Sequence, residues 1–297
     1  MLKSSLYSEE SYPSPFRQTW LEFSKSHVAI IGLWVLAGFT LIILFGPLVS
    51  PYSPLEQNTD ALLIPPAWAP NGGIDHVLGT DGLGRDILAR VIHGSRVTFG
   101  ISLFLVVVAM LIGIAIGAFA GMSRGVQSSV LNHLLDSMMA IPTLLIAIII
   151  VAILGPGLVN SMWAITLALI PQFIHFTRDA VRAEANKEYV IAARLDGASS
   201  VHIFIYSILP NLVEMLVVQG TLALSIAILD ISALGFLNLG VQAPHAELGA
   251  MLSEGLDIAY IAPWSIAAPG AAIFLVIMSV NVVGDGLRSA LRNRMMH

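Results

Sequence analysis

Two acids, Glu214 and Asp230, stand in an otherwise apolar stretch after Pro210, and they are the first residues here whose type and setting could do chemistry. An ionisable side chain costs about 2.5–3.5 kcal/mol at the centre of a membrane helix, so an acid in such a run is a candidate for function. Glu214 follows Pro210 closely and can reach an interface. Asp230 lies roughly 24 Å further along a helix, near its other end. Gln219 and Asp230 share one helical stripe, which would suit a cationic cargo or a proton relay; a packing partner or an interfacial acid is the competing reading. Glu247, Glu254 and Asp257 have no lysine or arginine close in sequence, and a solvated acidic face is favoured over a cation site there. Other chemistry is missing. The chain has no cysteine, its eight histidines form no H-E-x-x-H, and no G-x-x-x-x-G-K-[ST] loop occurs. No metal ligand set and no catalytic residue is assigned.

The elements that must carry these residues follow from the charges. Of 297 residues only 11% are charged and 56% are hydrophobic, against about 25% charged in soluble domains. A disordered chain, a basic nucleic-acid binder and an ordinary cytosolic enzyme are excluded. Asp, Glu, Lys and Arg are absent from Ser26–Leu55, Val97–Ser123, Ser137–Thr177 and Ile258–Gly284. A spanning helix needs about 20 residues. The third run is long enough for two, divided by a turn at Gly155-Pro156-Gly157 with Asn160. Spans are therefore expected near Val28–Val49, Val97–Gly121, Ser137–Leu154, Met162–Thr177, Asn211–Ile231 and Trp264–Gly284: six helices in an all-α membrane protein.

Orientation follows the basic residues. With the N-terminus inside, Lys3, Arg17, Lys25, Arg124, Arg178, Arg182, Lys187, Arg194, Arg288, Arg292 and Arg294 fall on the inner side, and only Arg85, Arg90 and Arg96 outside. Both termini are expected to be cytoplasmic. The outer arginines can pair locally with Asp75, Asp81 and Asp86. Trp163 and Trp264 fall at outer helix ends, and Trp20 lies before the first span, as interfacial aromatics do.

Three segments exceed what spanning requires. Leu78–Asp86 carries three glycines and leads into an amphipathic stretch, Ile87–Gly94; a glycine turn is favoured over a ligand cradle. The inner loop Arg178–Asn211 reads as a helix over Arg178–Leu195, a stop at Asp196-Gly197 and a second short helix over Ala198–Tyr206. Asn281–Arg288 reads as a helix stop with arginines near the C-terminal dipole. Its Gly284-Asp285 is part of the G-x-G-D of intramembrane aspartyl proteases, but position 282 is Val and no Tyr-Asp pair lies in another span.

Together the three segments resemble the permease subunits of binding-protein-dependent ABC importers, in the C-type subunit of the dipeptide/oligopeptide/nickel group. The outer L-G-T-D-x-x-G-R-D stands at Leu78–Asp86 and the closing N-x-x-G-D-G-L-R at Asn281–Arg288. The inner EAA-type signature is looser, at Glu188…Ala192-Ala193…Gly197 and Ile208-Leu209-Pro210. Within the group, Tyr189–Ser199 and Ala227–Leu237 look most like the Sap-type branch, named for sensitivity to antimicrobial peptides.

The resemblance implies a type I ABC importer permease architecture. Its expected divisions are a cytoplasmic tail (1–27), a first transmembrane helix (28–49), a periplasmic loop (50–95), a type-1 transmembrane domain (96–288, with the EAA-like loop at 178–211) and a second cytoplasmic tail (289–297). It implies a bacterial inner-membrane location and no enzymatic activity in this chain. Its implied partners are a homologous B-type permease, two ATPase subunits using ATP and Mg, and a periplasmic solute-binding protein. No nucleic acid and no cofactor of its own are expected. Cationic peptides or putrescine are the implied cargo. Glu188, Ala192, Ala193, Gly197 and Ala198 are implied as the ATPase contact, where small side chains allow close approach. Gln219 and Asp230 are candidates for the substrate path. The main rival is a proton-coupled secondary transporter of small cations, relaying protons through Asp230.

Overall fold

In a computed structural model, residues 14–123 and 126–296 are described, and every named element among them is helical. Lys3 and Arg124, counted above as inner cations, lie outside these residues. The first helix, α1 (Pro15–Ser24), occupies part of the expected N-terminal tail; its Phe23 packs against Ala29 and Ala290. Ser26 caps α2 (His27–Val49) by accepting from the Ala29 N–H. The first span therefore lies within a residue of its expected start.

Helix α3 (Ile87–Met122) starts ten residues before the expected second span, because Asp86 caps it through the Ala89 N–H and the amphipathic stretch runs on unbroken. The third expected span is corrected. Its residues divide between α4 (Val126–Met139) and α5 (Thr143–Leu154), bent by 87°. Pro142 is the cause: it lacks an N–H, and it forces Ile141 out of helical geometry. At 1.5 Å per residue α5 is about 18 Å long, well short of a bilayer core of about 30 Å. Among the described residues five helices are long and apolar enough to cross a membrane, and the bent pair makes a sixth when taken as one span.

The turn at Gly155-Pro156-Gly157 is present, with φ of 90° and 143° at the two glycines and the Asn160 amide donating to the carbonyls of Leu154 and Gly155. Helix α6 (Leu158–Glu184) outruns its expected end. The helix expected over Arg178–Leu195 is broken: α6 stops at Glu184, and α7 (Glu188–Leu195) begins after a short turn. Gly197, at φ 85°, then leads to α8 (Ser200–Ile203), capped by Ser199. A π-helical turn (Phe204–Ile208) joins α8 to α9 (Leu209–Phe236), so the chain does not restart at Pro210. After α10 (Leu248–Leu256), α11 runs from Trp264 to Met296. The expected helix stop at Asn281–Arg288 is thus overturned. A Cβ at Gly286 would sit 2.5 Å from the Ala29 methyl, and one at Gly284 would strike Thr221. These glycines admit neighbouring helices on two sides and leave α11 continuous.

The packing centre is the α3–α6 pair. Gly113, Gly117 and Gly121 lie four apart on one face of α3. Cβ atoms there would overlap Phe173, come within 2.7 Å of the Ile174 carbonyl and within 2.7 Å of the Arg178 carbonyl. Only hydrogen at these positions lets the backbones touch, and that contact gains the dispersion energy that drives association in lipid. Around it, Leu105, Ile165, Leu169, Phe173, Ile228 and Leu234 form a buried core shared by α3, α6 and α9. Trp34, Phe119 and Ile153 are more than 70% exposed on the outside of the bundle, where an apolar solvent suits them.

Candidate functional site

Three places in the bundle collect the polar residues. On the expected outer side, the loop before α3 turns on Gly79 and Gly84, at φ 80° and 72°. A Cβ at Gly84 would overlap the Asn58 carbonyl. The Thr80 hydroxyl accepts from the Ile64 N–H at 2.8 Å, and the Trp264 indole donates to the Thr80 carbonyl at 3.1 Å. Asp81 gathers the turn's donors: the N–H groups of Leu83 (2.9 Å) and Arg85 (3.0 Å), Arg85 Nε (2.7 Å) and Arg90 Nη1 (2.6 Å). Those N–H groups are spent inside the turn, which agrees with the glycine-turn reading and leaves no cradle for a ligand. Burial opposes the Asp81 charge, but these N–H groups and the two guanidiniums outweigh it and hold its carboxyl below the ordinary range.

The expected local pairing holds for Asp81 with Arg85 and Arg90. Asp86 instead lies 3.0 Å from His76 Nδ1 and caps α3. The solvated acidic face is corrected for two of its three members. Glu254 accepts from Arg85 Nη2 (2.6 Å) and Arg90 Nη1 (2.8 Å). Glu247 is wholly buried, accepting from the Thr98 hydroxyl (2.8 Å) and capping α10 through the Ala250 N–H (2.8 Å). Burial pushes the Glu247 carboxyl up. A cavity of about 540 Å³ lies beside this ion cluster.

The second place is α9. Glu214 pairs with Arg294 near the end of α11, whose guanidinium also donates to Thr19 of α1 at 3.0 Å. Asp230 is buried and accepts from the Thr143 hydroxyl at 2.9 Å, at the first residue of α5 and beside the Pro142 break. Within this chain Asp230 is therefore a packing partner of α5 and not an open lining group. Gln219 does line a cavity, so the expected stripe is split between a cavity wall and a helix contact.

The third place is the inner elbow. Tyr189 of α7 donates to the Glu184 carboxylate and accepts from the Asn211 amide at 3.0 Å, tying α6, α7 and α9 together. Burial, then the Glu184 charge, push the Tyr189 hydroxyl up to about 12. Val190 and Ile203 are buried with Val181, Ile208 and Leu212. Glu188, Ala192 and Gly197 are exposed. Ala193 and Ala198 are partly buried and pack against this cluster. Leu195 is 84% exposed, and Val201 and Tyr206 stand beside it in sequence, similarly exposed. Sequence reasoning passed over these three; large apolar residues flanking the glycine bend were the available signal.

Residues 113–297 match the family described as binding-protein-dependent transport system inner membrane component, and residues 14–66 match the N-terminal TM domain of oligopeptide transport permease C. The peptide transport system permease protein SapC of Salmonella typhimurium is 46% identical over 97% of each chain. The di/tripeptide transport system permease protein DppC of Pseudomonas aeruginosa is 45% identical over 94% of this chain and 92% of its own. The dipeptide transport system permease protein DppC of Escherichia coli K12 is 40% identical over 94% and 93%.

Proposed function

Since this chain belongs to the inner-membrane components of binding-protein-dependent transport systems, as a C-type permease, we propose that it forms half of the translocation path of a peptide importer in a bacterial inner membrane. A homologous B-type permease supplies the other half. A periplasmic binding protein delivers the cargo, and two ATPase subunits hydrolyse ATP with Mg. Both termini and the elbow face the cytoplasm; among the described residues the basic side chains still favour that side, without Lys3 and Arg124. The cargo is peptide, and the Sap-type likeness extends it to cationic peptides or putrescine.

One observation carries the reading: α7, α8 and the π-helical turn after them present exposed Leu195, Val201 and Tyr206 around a glycine bend, on a base held rigid by Tyr189. Apolar side chains on a watery loop are suited to a protein partner. Glu188, Ala192 and Gly197 lie on the free side and form the ATPase contact, while Ala193 and Ala198 set the bend from beneath. Gln219 belongs to the substrate path and Asp230 fixes α5 at its edge. A proton-coupled secondary transporter needs titratable acids open to a midplane site. Here Asp230 is buried on Thr143 and Glu214 is neutralised by Arg294, which favours the ATP-driven reading.

The test is co-purification of the chain with both ATPases and the partner permease, followed by reconstitution in liposomes. Peptide with binding protein is expected to stimulate ATP hydrolysis. Transport by this chain without ATPases would refute the proposal.

A further inference from the structure

A cavity of about 380 Å³ opens between the end of α4, α6 and α9, and Gln172 and Gln219 both line it, with Met139, His175, Asp179 and Met215. Neither carboxamide has a hydrogen-bond partner among the described residues, although both sit in membrane-spanning helices. Gln172 is roughly 8 Å along the helix from Thr177 and Gln219 roughly 12 Å from Asn211, the inner ends of the expected spans, so both fall in the inner part of those spans. Both are partly exposed to the cavity, so their donors and acceptors are uncommitted and available to whatever occupies it. Towards the inner mouth, His175 lies 3.4 Å from Asp136 and 3.6 Å from Asp179, giving that end a negative character. Gln219 also lines an adjoining cavity of about 330 Å³ with Arg288 and Arg292, so it stands between the α6 and α11 sides of α9.

Each carboxamide carries both donors and an acceptor, the same pairing that a peptide bond offers in reverse. We propose that Gln172 and Gln219 form a station that binds the main chain of an extended peptide in transit, independently of its side chains. The inference rests on the peptide-importer reading and sharpens its cargo. A diamine carries donors only, so its ammonium groups can serve the two carboxamide oxygens but leave both carboxamide NH2 groups without an acceptor, which a site built to hydrogen-bond discriminates against. Met139 and Met215 suit variable side chains, because an unbranched thioether adapts to different shapes. The wall contributed by α4 ends at the Pro142 break, so a change of bend there would alter the cavity.

The absence of cysteine allows a direct test. In the complete complex with binding protein and ATP, Gln172→Cys and Gln219→Cys are exposed to a tripeptide bearing a bromoacetyl group on a lysine side chain. Ile153→Cys, on the outside of the bundle, reports background labelling. Both cavity positions are expected to label about tenfold above Ile153→Cys in an ATP-dependent way, with protection by excess trialanine and none by putrescine. Labelling at background, or protection by putrescine equal to that by trialanine, overturns the station. As a second measurement, Gln219→Leu is expected to raise the half-saturating peptide concentration for transport by about tenfold, the loss of a desolvated hydrogen bond. An assembled Gln219→Leu complex within twofold of the parent also overturns it. The parental complex separates the two claims: no peptide stimulation of its ATP hydrolysis removes the importer reading itself, whereas stimulation with unlabelled cavity cysteines removes the station alone.

Discussion

Removing Asp81 should destabilise the outer side of the bundle far more than removing Glu254, although both acids bind the same two arginines. Asp81 accepts two backbone N–H groups and two guanidinium contacts. Its partners Arg85 and Arg90 have side chains 5% and 2% exposed. Asp81→Ala would leave two buried cations sharing one remaining carboxylate, with two N–H groups orphaned. Loss of one partner of a buried ion pair costs about 3–5 kcal/mol. The Glu254 side chain is 30% exposed and binds no backbone, so solvent replaces much of what Glu254→Ala removes; about 1 kcal/mol is expected. Unfolding free energy by SDS titration of the purified chain reads both. The pH dependence supplies the sign. Asp81 has a folded pKa below the ordinary 3.8, so its contribution is fully present above the unfolded value and is lost as pH falls through the lowered one. Parent and Asp81→Ala should therefore converge only at the acid end. Equal costs for the two variants, or a difference that vanishes near neutral pH, would refute the reasoning.

Gly197→Glu should leave the subunit inserted and assembled while abolishing peptide-stimulated ATP hydrolysis, because φ 85° admits a side chain only with strain and the elbow is the coupling surface; normal stimulation would remove that role. Gly117→Val should prevent stable folding, since its Cβ would lie 2.7 Å from the Ile174 carbonyl and from Thr177; the monomeric yield in detergent reads this, and a parental yield would show that α3 and α6 need no backbone contact. Asp230→Asn and Thr143→Val should couple in a double-mutant cycle by about 0.6–1.7 kcal/mol, the range for hydrogen bonds between membrane helices. Additive effects would mean that the two helices are held by packing alone.

The inner elbow shows how far local pattern reaches. Asp196-Gly197 marked the bend, since a positive φ favours glycine irrespective of its surroundings. The break at Ala185–Lys187 carried no such mark, and it depends on Tyr189 reaching back to Glu184 and across to Asn211. The glycines of α3 were visible at four-residue spacing, but what they face was not. Asp230 illustrates the same limit from the other direction: its place on a helical stripe followed from the 3.6-residue repeat, while its partner Thr143 is 87 positions away.

Charge-free runs located the crossings because a dehydrated backbone must bond within its own helix, a constraint that acts locally and leaves its mark in composition. Pro142 carried the mark of a break as well, once the geometry of its ring is considered. Pairing between distant segments is another matter. Glu254 meets Arg85 across 169 positions of chain, and neither residue has a neighbour in sequence that foretells it. An ion cluster, a backbone contact or a cavity forms only where separate helices are brought to one depth and one face. The apolar pattern specifies that each helix is buried in lipid, but the side chains it meets are chosen by the shapes of the assembled bundle.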